Sequence, residues 1–253
     1  MEAVIIILAG LAWGSFLNVL IYRLPLRMSL LRPPSSCPEC GTRIKWYDNI
    51  PLLSYLFLGG KCRACKARIS LFYPLVELIT PLSFLVLFFS YGLRLALLAS
   101  CLFTSALIVL FFIDLKHQLL PDEITLPSLL LALVYSIFRP DLSLREALVG
   151  AVVGGGFLVF VYLAYLLARK KEGLGMGDVT MMLMLGAFLG WERTFLTLVL
   201  ASFSGALIGI LIISFRKKDF QYSLPFGSFL APAAYISLLW GEKILSLWGQ
   251  VLH

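Results

Sequence analysis

Two histidines, His117 and His253, are all that this chain has. A serine–histidine–aspartate triad would have to rest on His117, and the His-Glu-x-x-His pattern of a zincin does not occur. Phosphate-binding and dinucleotide-binding fingerprints are missing too. The glycine run 154–156 lies inside an apolar stretch, without the strand–helix setting those motifs need. Charge is scarce: Asp, Glu, Lys and Arg make up 14% of the residues and 60% are hydrophobic, whereas soluble proteins carry about 25% charge. The apolar runs do not alternate with polar residues, which argues against a β-barrel. No repeat is visible that would imply a solenoid or a duplicated transporter. No lysine or arginine precedes Arg23, so the first apolar run lacks the basic start of a secretory leader and is expected to remain as a span.

What is present is a set of long apolar stretches, and they define an all-α polytopic membrane protein. A run of about 18 apolar residues can cross a bilayer as a helix. Spans are expected near 3–22, 74–90, 95–113, 124–138, 147–167, 179–190, 195–215 and 226–240. The fourth and sixth are short, so eight crossings is the expectation and seven the fallback. The net charge of +7 would suit nucleic acid, but its distribution suits a membrane. With the N-terminus outside, sixteen of the 21 lysines and arginines fall on the inner side. Nine lie between Arg23 and Arg68, one is Lys116, and the rest are Arg169, Lys170 and Lys171, then Arg216, Lys217 and Lys218. Only Arg94, Arg139, Arg145, Arg193 and Lys243 fall outside. The positive-inside bias accounts for this asymmetry, and no nucleic-acid partner is needed. Gly-xxx-Gly pairs at Gly10/Gly14, Gly150/Gly154, Gly186/Gly190 and Gly205/Gly209 suit close helix–helix approach in lipid.

The sizeable polar segment, 23–70, carries Cys37-Pro-Glu-Cys40 and Cys62-Arg-Ala-Cys65, with 21 residues between the pairs. Two such pairs at this distance have the spacing of a four-cysteine zinc site. The metal would replace a core that so short a segment cannot supply. Two disulfides or another metal are the alternatives, and the expected cytosolic location disfavours the disulfides. Four thiolates fill a tetrahedral site, so the zinc is read as structural. Cys101, alone in an apolar span, is read as packing.

Acids at the ends of apolar stretches carry the remaining chemistry. Asp178 follows Gly175-Met176-Gly177, and Asp114 closes the third span. The two glycines are expected to let the chain turn sharply and present Asp178, with Gly173 loosening the same stretch. A carboxylate at or near hydrocarbon costs about 2.5–3.5 kcal/mol on insertion scales. The same crossing pattern puts both aspartates on the inner side, where a pair sharing one proton could activate water. Asp122 is read as a capping or solvated residue before the next span. Glu77, inside the second span, is a candidate for binding a basic or amine group and the one candidate for cofactor contact. Asn18 is read as an interhelical hydrogen-bonding residue.

Taken in order, these residues resemble the bacterial type IV prepilin peptidases, the leader peptidase/N-methyltransferases of the Gly-x-Gly-Asp type of membrane aspartyl protease. The resemblance runs through Gly14-Ser15-Phe16-Leu17-Asn18-Val19, Tyr22-Arg23-Leu24-Pro25, both cysteine pairs, and Asn49-Ile50-Pro51-Leu52-Leu53-Ser54-Tyr55. It continues through Tyr73-Pro74-Leu75-Val76-Glu77, Asp114 with Leu120-Pro121-Asp122, Gly175-Met176-Gly177-Asp178 and Pro225-Phe226-Gly227. It implies that Asp114 and Asp178 are the catalytic pair. It also implies that a basic leader is removed after a glycine at the cytoplasmic membrane face. The new N-terminus would then be methylated from S-adenosylmethionine, an activity the resemblance links to the four-cysteine loop. Three positions depart from the family pattern: Thr180 for a common lysine, Phe72 for a common arginine and Ser228 for a usual proline. None is expected to touch the aspartates.

The expected layout is a first transmembrane helix over 1–22, a cytoplasmic zinc-binding loop domain over 23–70, and a transmembrane peptidase core over 71–253. The expected partners are prepilin or pseudopilin substrates and membrane lipid. An ion- or proton-coupled transporter using the intramembrane acids is the alternative, and a non-enzymatic scaffold docking through the zinc loop is a third reading.

Overall fold

The apolar runs fold as helices throughout. The computed structural model describes residues 1–170, 175–216 and 224–251, so Lys171, Gly173, Lys217, Lys218 and His253 lie outside the described residues. Helices α1 (Glu2–Arg23), α3 (Phe72–Tyr91), α4 (Leu95–His117), α5 (Asp122–Ser136), α6 (Leu144–Arg169), α7 (Met176–Leu189), α8 (Trp191–Arg216) and α9 (Gly227–Val251) match the eight expected spans in order. A short α2 (Leu53–Phe57) and a single 3-10 turn (Trp46–Asn49) lie between α1 and α3. No strand forms among the described residues, only two isolated bridges, Ser36 with Arg43 and Lys61 with Arg68. Among the described residues five helices are long and apolar enough to cross a membrane: α1, α3, α4, α6 and α8. Helices α5 and α7 have 15 and 14 residues, short of the about 20 that a perpendicular crossing takes.

Two compact units divide the chain, one up to Val109 and one from Leu110 onward. In the first, α1 packs along α3. The close approach explains two glycines: a Cβ on Gly10 would sit 2.6 Å from Pro81 Cα, and one on Gly14 3.0 Å from Glu77 Cα. Asn18 Nδ2 donates to Tyr73 O across the same seam at 3.0 Å, the interhelical role read from the sequence. Arg23, buried at the end of α1, donates to the carbonyls of Ser29 at 2.8 Å and Pro33 at 2.7 Å. A buried guanidinium has to be met in this way, and here it folds the chain back after the first span.

In the second unit, α7 packs against α5, α6, α8 and α9. Gly150 on α6 and Gly186 on α7 bring these helices backbone to backbone. A Cβ on Gly186 would lie 2.1 Å from Gly150 O, and one on Gly150 2.3 Å from Gly186 O. Only backbone stands opposite, so nothing can rotate aside. Gly186→Ala is therefore expected to destabilise the folded protein by about 1–3 kcal/mol, seen as a lower thermal midpoint in detergent. An unchanged midpoint would contradict this packing. At the far end of α7, Arg139 donates to Phe188 O at 2.7 Å, stacks by Tyr135 and Phe188, and pairs with Asp141. Helix α6 begins at Ser143 with a reciprocal capping box to Glu146.

Candidate active site and metal centre

Asp114 sits one turn from the end of α4 and is 4% exposed. Its Oδ2 accepts two hydrogen bonds from one residue in the first turn of α9, Ser228 N at 2.6 Å and Ser228 Oγ at 3.0 Å, which corrects the expectation that no departing position touches the aspartates. Asp178 lies in the first turn of α7, half-buried, and feels the charge of Asp114. Both carboxylates belong to the second unit. Leu120, in the connection between α4 and α5, packs beneath both of their supports. A Cβ on Gly177 would meet Leu120 Cβ at 2.8 Å, and one on Gly227 would meet Leu120 Cδ2 at 2.9 Å and Asp114 Oδ2 at 3.1 Å.

This geometry corrects the reading of the glycines. Gly175 has φ −76° and ψ 141°, ordinary extended backbone that any residue adopts, and Gly177 is helical. Gly177 is required by lack of room rather than by a sharp turn. A hydroxyl chain fastens the same turn: Thr180 Oγ1 donates to Gly177 O at 3.0 Å and accepts from Thr125 Oγ1 at 3.2 Å, joining α7 to α5. Asp122 is exposed in the first turn of α5, and its Oδ1 lies 3.3 Å from Thr125 Oγ1, in keeping with a solvated helix-start acid.

The four cysteines converge in the first unit, with all sulfur atoms within 4.8 Å of one another. Cys37 Sγ and Cys65 Sγ are 3.9 Å apart; tetrahedral zinc with Zn–S near 2.3 Å calls for about 3.8 Å. The donor set therefore fits such an ion, and all five cysteines are free rather than disulfide-bonded. Each pair forms the same knuckle. Cys37 N donates to Thr42 O and Gly41 N to Cys37 O, just as Cys62 N donates to Ala67 O and Lys66 N to Cys62 O. The residue after each second cysteine takes positive φ, 68° at Gly41 and 61° at Lys66. Thr42, with Oγ1 3.3 Å from Cys40 Sγ, holds the Cys40 thiol down to about 6. Main-chain N–H groups of Cys65 and Ala64 hold Cys62 below its usual range. These two shifts favour the thiolates a metal needs. Against a main-chain bond from Ala67, desolvation and the three neighbouring sulfurs push the Cys65 thiol up to about 11, a proton that an ion would have to displace.

Glu77 belongs to the first unit, half-buried on α3, and its Oε2 accepts from Leu52 N at 2.8 Å. Leu52 carries φ 60°, unusual for a leucine, at the start of α2. Ser54 Oγ closes this inter-knuckle stretch with bonds to Ile50 N and Tyr47 O, both at 2.9 Å. Arg63 of the second knuckle grips Asp48 at 2.6 Å, and this holds the Asp48 carboxyl below its ordinary range.

Two family models cover most of the sequence: the bacterial peptidase A24 N-terminal domain over residues 8–91 and the type IV leader peptidase family over 101–210. A prepilin leader peptidase/N-methyltransferase of Pseudomonas putida is 41% identical over 96% of this chain and 92% of its own length. The chain belongs to the type IV leader peptidase family. A relative of the same name from Pseudomonas aeruginosa is 41% identical over the same shares, and one from Myxococcus xanthus 43% over 83% of this chain and 63% of its own. No solved structure matches. Family membership and the five long apolar helices make this a multi-pass membrane protein. The transporter alternative gains no support from these relatives. Glu77 and the four knuckle cysteines fall within the first matched region and both aspartates within the second, whereas Ser228 lies beyond either.

Proposed function

We propose that this protein cleaves the basic leader of type IV prepilin-like substrates and then methylates the new N-terminus. What supports this reading most is one observation: two carboxylates 64 positions apart in sequence stand at the ends of α4 and α7, with Leu120 packed against both Gly177 and Gly227 beside them. Asp114, with two donors fixed on Oδ2, serves as the ionised base, and Asp178 carries the shared proton. Asp114 takes a proton from water as the water oxygen adds to the scissile carbonyl carbon. Asp178 gives its proton to the carbonyl oxygen. As the C–N bond breaks, Asp114 passes its proton to the leaving amine, and the carboxyl product returns a proton to Asp178.

S-adenosylmethionine, when bound, would supply the methyl group that the freed amine takes up. Cys37, Cys40, Cys62 and Cys65 would hold a structural zinc, which supplies folding energy rather than a reacting site. Glu77 serves methylation by tying the inter-knuckle stretch to α3. The working division is a first span over 1–22, the zinc loop over 23–70 and the peptidase core over 71–253. The zinc loop and the aspartates face the cytoplasm from the bacterial inner membrane. Lipid surrounds the helices, and nucleic acid has no part in the activity.

The N-terminal mass of a processed prepilin tests both halves. Incubation with S-adenosylmethionine should give a shortened chain one methyl group heavier than incubation without it. An uncut prepilin would defeat the peptidase reading, and a cut but unmethylated terminus would leave the peptidase alone.

A further inference from the structure

The stretch between the two knuckles turns large apolar side chains outward. Trp46 is 81% exposed, Leu56 72% and Phe57 86%, with Ile50 and Leu53 also exposed. Polar packing holds their backbone in place from behind: the Ser54 bonds, the Arg63–Asp48 pair and the Leu52–Glu77 contact. So rigid an apolar surface outside the spanning helices needs a partner.

Glu77 fixes where that partner lies. Helix α3 has 20 residues, about 30 Å at 1.5 Å per residue, the thickness of the hydrocarbon core. Glu77 is five residues in from Phe72, about 7 Å along the axis. The hydrogen bond from Leu52 N to Glu77 Oε2 therefore draws the start of α2 to that depth. Amphipathic segments that lie on membranes bury their apolar side about 5–10 Å into the headgroup–acyl boundary. Tryptophan favours this zone, and cations beside it attract anionic lipid. Between residues 43 and 68 six cations (Arg43, Lys45, Lys61, Arg63, Lys66, Arg68) stand against one acid, Asp48.

We propose that residues 46–57 are an interfacial membrane anchor, with Trp46, Leu56 and Phe57 seated among phospholipid acyl chains and the adjoining Arg43 and Lys45 on anionic headgroups. The anchor keeps the cysteine knuckles flat on the bilayer, where a substrate terminus leaves the membrane. This placement stands apart from the enzymatic reading, and its test needs no catalysis.

A photoreactive benzoylphenylalanine is placed at Phe57, at Trp46, or at exposed Lys66 on the second knuckle, in otherwise full-length protein. Each variant is reconstituted in vesicles of phosphatidylethanolamine and phosphatidylglycerol, irradiated and weighed by intact-mass spectrometry. Phospholipid adducts should form at 57 and 46 at least about tenfold more than at 66, in proportion to depth in the boundary. Equal lipid adducts at all three positions would overturn the anchor. So would crosslinks from 57 and 46 to another part of the chain, to a second copy or to an added prepilin in place of lipid.

Discussion

Asp178→Asn, and separately Asp114→Asn, should each lower leader cleavage by about 10³-fold or more, because either change removes a proton-transferring group from a two-group reaction. Asparagine has nearly the shape of aspartate, so the packing of α4 and α7 should survive. At position 114 the amide oxygen can still accept from Ser228 N and Oγ, so the loss would be one of chemistry rather than of position. At 178 the amide cannot protonate the scissile carbonyl. The double variant should be no slower than the worse single one, since groups acting as a unit lose their whole effect with the first removal. Methylation of an already trimmed peptide should persist in all three variants, which separates lost catalysis from lost folding. Rates come from densitometry of a prepilin in detergent. Full cleavage by either single variant would remove that residue from the mechanism.

The aspartates were legible because the background is so apolar: among so few charges, an acid closing a long hydrophobic run is conspicuous. The knuckles were legible because their spacing is set by metal geometry, which local sequence encodes directly. Ser228 stood out as a departure from a usual proline, but its place beside an aspartate was not legible, because nothing in the sequence pairs it with a carboxylate 114 positions earlier. Gly177 was singled out for the wrong reason, since the sequence shows a glycine but not the Leu120 side chain that leaves no room for a Cβ. Likewise the Gly-xxx-Gly pairs marked close helix contacts without saying whose, and only the fold sets Gly150 against Gly186. Long-range partners are fixed by tertiary packing, and a single sequence carries them only where chemistry constrains both ends.

Removing the metal should separate the two activities. Cys37→Ser or Cys62→Ser, or prolonged chelation of the wild type, is expected to abolish stoichiometric zinc and lower methylation by about 100-fold or more. Structural zinc contributes about 10–16 kcal/mol in small zinc-finger peptides, far beyond what the hydrogen bonds of two knuckles replace. The knuckles fold around their cysteines, with Cys37 and Cys62 each both donating and accepting a main-chain bond. Loss of the ion frees the inter-knuckle stretch that Arg63 holds through Asp48. Cleavage should change by less than about threefold, because Asp114, Asp178, Ser228 and Leu120 make their contacts within the second unit, whereas the cysteines belong to the first. Acid should have the same effect as chelation. Ligation needs thiolates, so protons compete with the ion and zinc is lost as pH falls. Zinc content by plasma mass spectrometry, with N-terminal mass for the two reactions, decides the matter: cleavage falling in step with methylation would mean that the ion supports the whole protein.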